Sequence, residues 1–80
     1  MCGGGSSRTF VYAETPAGAV DGSNNAFVLA QTPAAGSVRL YVNGLRQKAG
    51  TDYTLSGGTV TFVTAAIPRS GDWLLVDYDY

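Results

Sequence analysis

Apolar and polar positions alternate with a period of two over most of this chain. The pattern is sharpest between Ser37 and Val63, where two alternating runs are each interrupted by a pair of turn residues, Asn43-Gly44 and Gly57-Gly58. Turn-forming pairs between alternating runs are the strongest short-range sign of a β-hairpin. With Gly57-Gly58 as a two-residue loop, Ser56 faces Thr59, Leu55 faces Val60, Thr54 faces Thr61 and Tyr53 faces Phe62. The apolar members then share one face and the threonines the other, a sorting that a slip of one residue would destroy. Both glycines can adopt the positive φ that such a turn requires.

The first hairpin sorts differently. Val42 faces Leu45, Tyr41 faces Arg46, Leu40 faces Gln47 and Arg39 faces Lys48. Val38, Leu40, Val42 and Leu45 then point to the core, while Arg39, Tyr41, Arg46 and Lys48 gather on the opposite face. Like charges opposite each other across a ladder are mildly unfavourable. That face is either solvated, with Tyr41 covered by Arg46, or a patch that meets an anionic or acidic partner.

Further strands are predicted over residues 8–13, with Phe10 and Tyr12 on one face and Val11 on the other, over 26–31, and over 73–78. Residues 15–25 form a loop broken by Pro16, Gly18 and Gly22, residues 32–36 a turn, and residues 64–72 a connection. The final strand is apolar on both faces: Leu74, Val76 and Tyr78 form one row, and Trp73 and Leu75 join Asp77 in the other. Such a strand either lies between two layers or turns its second face to another chain. No apolar period of 3.6 persists for ten residues, so no helix of consequence is expected. The predicted fold is all-β, a small antiparallel β-sandwich or partly closed barrel of about seven strands. One domain spans residues 8–80, behind a flexible Gly/Ser arm over residues 1–7, which is either a plain terminus or a segment that orders against a neighbouring subunit.

Composition narrows the function. Eighty residues bury only roughly 60–65% of the surface the unfolded chain exposes. Domains this small usually need a disulfide, a metal or association. One cysteine and no histidine remove the first two, and Cys2 carries no signal of reactivity. Net charge is −1 with five basic residues, which supplies no basic footprint for nucleic acid. No apolar run approaches a membrane span, and the opening residues have neither the basic start nor the apolar core of a secretory signal. The expectation is a protein made and kept in the cytoplasm until it is assembled into something larger.

Candidate chemistry is sparse. Without histidine no Ser-His-Asp or Cys-His arrangement exists, and the glycine runs precede no phosphate-binding helix. Asp77 and Asp79 share a strand face about 7 Å apart and read as two solvated charges at a strand end. The segment Asp21-Gly22-Ser23-Asn24-Asn25 is rich in oxygen ligands but lacks the bidentate acid of a calcium loop. It reads as a turn in which Asp21 caps nearby N–H groups. Asp52 and Asp72 read as turn-closing residues. No enzyme activity, cofactor or metal is expected.

One ordered series of residues has a wider likeness. It runs from Gly18-Ala19-Val20-Asp21-Gly22-Ser23-Asn24, with Phe27 and Leu29, through Pro33 and Gly36-Ser37-Val38. It continues with Leu40-Tyr41-Val42-Asn43-Gly44-Leu45-Arg46-Gln47 and Gly50-Thr51-Asp52-Tyr53-Thr54, and closes on Thr59-Val60-Thr61-Phe62, Pro68, Gly71-Asp72 and the apolar ending Leu74 to Tyr78. This series resembles a small β module of tailed-bacteriophage virion proteins, including tail-fibre, collar and head-fibre components. The resemblance implies a building or display unit without catalytic residues, localised to the virion. The chain would be a homo-oligomer that docks on other virion structural proteins, with decoration, head-fibre, neck or tail accessory protein as the roles to consider. The expected partner-binding residues are Phe10, Tyr12, Arg39, Tyr41, Arg46, Lys48, Trp73 and Leu75. The alternative is a module that binds a host-surface glycan or receptor through Arg39, Tyr41, Arg46, Lys48 and the loop from Asp21 to Asn25. Neither reading involves nucleic acid or membrane insertion.

Overall fold

Both hairpins form where their turn pairs place them. In the computed structural model, which describes residues 8–80, the strands are β1 (Phe10–Glu14), β2 (Ala26–Val28), β3 (Arg39–Val42), β4 (Leu45–Arg46), β5 (Tyr53–Ser56), β6 (Thr59–Phe62) and β7 (Leu74–Asp79). The predicted arm over residues 1–7 lies outside the described residues. The β5–β6 register is the one the alternation demanded, from Tyr53 opposite Phe62 to Ser56 opposite Thr59. Of its two turn glycines only Gly57 uses a positive φ, at 58°. Gly58 answers a different need, since a Cβ there would stand 3.3 Å from the Gln31 carbonyl oxygen.

The strands make two antiparallel sheets, β1-β7-β3-β4 and β2-β6-β5, stacked as a sandwich and not closed into a barrel. Leu40, Leu74, Val76 and Tyr78 from the first sheet meet Phe27, Tyr53, Val60 and Phe62 from the second, with Leu29 completing the buried cluster. Phe27 and Phe62 pack edge to face with centroids 5.6 Å apart, a favoured aromatic geometry. The connection before β7 carries one short 3₁₀ turn, Thr64–Ala66.

Several boundaries and placements differ from expectation. The first hairpin keeps Val42 opposite Leu45 and Tyr41 opposite Arg46, but β4 ends at Arg46. The Lys48 amide turns instead to the Asp52 carboxylate at 2.8 Å. Arg39 therefore does not face Lys48. On its other side it stands opposite Asp77 across the β3–β7 ladder, an opposite-charge neighbour. Leu45, expected in the core, is 71% exposed on the two-residue edge strand β4.

β1 begins later and ends later than predicted, and it is interrupted. Its register against β7 shifts between Val11 and Glu14, where Ala13 takes φ 55°. The Asp77 carboxylate holds this irregularity by accepting the Ala13 N–H at 2.7 Å, and such a bulge also blunts an open sheet edge. β2 is shorter than predicted: beyond Val28 one further in-register bond, from the Leu29 amide to the Gly58 carbonyl at 2.8 Å, carries the pairing to the β5–β6 turn, where β6 has no more residues to offer.

Candidate functional site

β7 is an interior strand of its sheet, so its alternation sorts residues between two environments. Leu74, Val76 and Tyr78 enter the core, and Leu75 and Asp77 lie half-buried on the outside. No strand of the second sheet covers that outside face. Across it, Phe10 stands opposite Asp79, Arg39 opposite Asp77, Tyr41 opposite Leu75, and Arg46 opposite Tyr41. Tyr12 shares the side of Phe10, their rings stacked with centroids 6.3 Å apart. Phe10, Tyr12 and Trp73 are 61%, 71% and 51% exposed, more apolar ring than a solvated face normally presents.

Trp73 is held at one end of this face by the turn of the first hairpin. The Asn43 side-chain oxygen accepts the Trp73 N–H at 2.9 Å, the Asn43 N–H donates to the Trp73 carbonyl, and the Asn43 amide donates to the Asp72 carboxylate at 2.9 Å. Asn43 has φ 53°, a conformation that asparagine tolerates better than most residues. The Asn43 bond, with help from the Arg69 amide, holds the Asp72 carboxyl below its ordinary value.

The eight nominated residues are thus mostly brought together. All except Lys48 lie along this sheet face by register or alternation. Arg46, on the edge strand, also joins Lys48 in lining a recess of about 360 Å³ between the sheet margins, with Val38, Ala49 and Tyr53. Burial raises the Tyr53 hydroxyl above its usual pKa, and the Arg46 charge partly opposes this. The loop from Asp21 to Asn25 takes the form expected of it. Asp21 Oδ1 accepts from the Ser23 and Asn24 amides, both at 2.9 Å, and these bonds lower its pKa.

Asp77 and Asp79 are not two freely solvated charges. Asp77 braces the β1 bulge, and Asp79 is 9% exposed. One Asp79 oxygen lies 3.5 Å from Arg8, and the other is buried without a hydrogen-bond partner among the described residues.

The alternation missed a second polar feature altogether. The Tyr78 hydroxyl donates to Glu14 Oε1 at 2.5 Å and accepts from the Gln31 amide at 3.2 Å, while Glu14 Oε2 accepts from the Ala30 amide at 2.8 Å. Desolvation first, and then the Glu14 carboxylate, push the Tyr78 hydroxyl up to about 12. This cluster ties β1 and β7 to the segment that follows β2, and so fastens one sheet to the other. Among the described residues no group of acidic, histidine or cysteine side chains could hold a metal ion, and no helix is long and apolar enough to cross a membrane. No protein-family model, curated protein or solved structure matches this chain.

Proposed function

We propose that this chain is a non-catalytic structural subunit of a bacteriophage virion. It docks on a larger particle as a decoration, head-fibre, neck or tail accessory protein and associates with further copies of itself. The observation that carries this reading is the uncovered face of the β1-β7-β3-β4 sheet, where Phe10, Tyr12 and Trp73 are exposed beside half-buried Leu75 and Tyr41. A small domain gains stability by covering such a face. The likeness of residues 18–78 to phage β modules supplies the particle. Gold-labelled antibody imaging of purified phage, matched to a mass-spectrometric count of the chain, tests it. Label at fixed positions with a copy number divisible by three, five or six is expected. Particles free of the chain would reject it.

A second reading, a glycan- or receptor-binding module for host adsorption, is favoured by the recess where Arg46 and Lys48 stand beside Tyr53. Its volume falls at the small end of ligand sites, about 300–1,000 Å³. Binding on a glycan array that disappears in Arg46→Ala supports this reading, and silence across the array removes it.

A further inference from the structure

We propose that the outer face of the β1-β7-β3-β4 sheet pairs with the same face of a second copy, about a two-fold axis running parallel to the strands between β7 and β3. The inference deepens the virion-subunit reading by naming the partner of that face, and it rests on that reading only for its purpose.

The face is laterally divided. On the β1 and β7 side stand the Phe10–Tyr12 stack and the carboxylate of Asp77; on the β3 and β4 side stand Arg39, Tyr41 and Arg46. Arg39 lies within 4 Å of no carboxylate among the described residues, since the one ion pair there joins Arg8 to Asp79. Asp77 commits one oxygen to the Ala13 amide.

A two-fold axis lying between stacked sheets and parallel to the strands exchanges left and right but keeps height along the strand. β7 of one copy then covers β3 of the other. Within one sheet Asp77 is level with Arg39, and Leu75 is level with Tyr41. The operation therefore lays Asp77 over Arg39 of the second copy and Leu75 over its Tyr41, and each contact occurs twice. The Phe10–Tyr12 stack comes over the β4 side of the second copy, towards the Asp79 end of the face, whereas Arg46 stands level with Leu75. An axis perpendicular to the strands would instead stack β3 on β3 and gather the arginines, an arrangement that like charges penalise. Charge complementarity thus selects both the partner and the orientation.

The pairing is weak by area. Four strands about 4.8 Å apart and roughly five residues long present a projected face of roughly 300 Å², against about 800 Å² per partner in a standard stable complex. An interface of that size belongs with the weak, transient ones and is tightened when copies are held together on a particle.

Sedimentation equilibrium of the full chain from about 10 μM to about 1 mM tests this. The wild type is expected to dimerise, and Arg39→Asp or Asp77→Arg alone to weaken the dimer at least about tenfold. An equimolar mixture of the two variants is expected to recover a heterodimer, because each Asp then meets an Arg in trans. Circular dichroism checks that each variant folds. If Asp77→Arg does not, Leu75→Glu and Tyr41→Lys repeat the experiment one row along the strands. A wild type that stays monomeric, single variants that dimerise like wild type, or a mixture that forms no heterodimer would each overturn the proposal. A monomeric chain that is still counted in particles places another virion protein on this face and leaves the virion reading standing. A dimer absent from particles does the reverse.

Discussion

Tyr78→Phe removes one oxygen atom from the interior and leaves the packing volume nearly unchanged. That oxygen donates to the Glu14 carboxylate at 2.5 Å and accepts from the Gln31 amide at 3.2 Å. The first is a charge-assisted bond, worth about 1.5–3 kcal/mol. The second bond is longer, and losing it strands a partly buried N–H. The expected loss is about 2–3 kcal/mol, a large fraction of the roughly 4–12 kcal/mol that a domain of this length commands. Thermal unfolding should drop by roughly 8–20 °C. Glu14→Gln keeps the shape but removes the charge, so a double-mutant cycle in urea should return a coupling of about 1–2 kcal/mol between the two sites.

The same contact has a signature in base. The folded hydroxyl titrates at about 12 against an ordinary value of 10.0. Between those values the unfolded chain has lost the proton and the folded chain keeps it. Stability is therefore fully present below pH 10 and falls as pH rises from 10 towards 12. Tyr78→Phe should flatten that limb. A loss below about 0.5 kcal/mol together with an unchanged alkaline limb would refute the claim that this cluster joins the two sheets.

Gly18→Ala should destabilise by about 3 kcal/mol, read by urea midpoint, because its Cβ would lie 2.6 Å from a ring carbon of buried Phe27 at φ 147°. Gly22→Ala, with φ 86° and nothing within 4 Å of its Cβ, should cost only about 1 kcal/mol. Asn43→Ala loses its side-chain bonds to Trp73 and Asp72 and leaves alanine at φ 53°; a loss of about 2 kcal/mol is expected, with a change in Trp73 fluorescence. The Asp21 and Asp72 carboxyls titrate below 3.8 in the folded chain, so their stabilisation is present above that pH and is lost as pH falls through their folded values. Asp21→Asn should therefore weaken the acid dependence of unfolding, measured by melts from pH 5 to about 2.

The candidate face was largely readable residue by residue. Phe10 and Tyr12 shared a side by alternation, and the apolar character of both faces of the last strand left open a second layer or another chain over Trp73 and Leu75. What was not readable was how these separate strands would be ordered. Lys48 illustrates the error: extending the hairpin by alternation put it beside Arg39, but the Asp52 carboxylate captured its amide and closed a turn first. Asp79 illustrates another, since a charged residue at a strand end reads as solvated, yet the fold leaves it only 9% exposed.

By itself the sequence determined the all-β class, the existence of both hairpins and the full register of the second. The reason is local: a two-residue turn sets which positions face each other, and a period of two separates the apolar face from the polar one. Only the tertiary structure decided that β1 and β3 flank β7, that the outer face of that sheet stays uncovered, that β1 bulges at Ala13, and that Glu14 meets Tyr78. Those outcomes join residues far apart along the chain, such as Glu14 and Tyr78. They depend on which strands close loops onto one another and on how the last buried polar groups find partners. An alternating pattern specifies each strand's two faces but is silent about its neighbours.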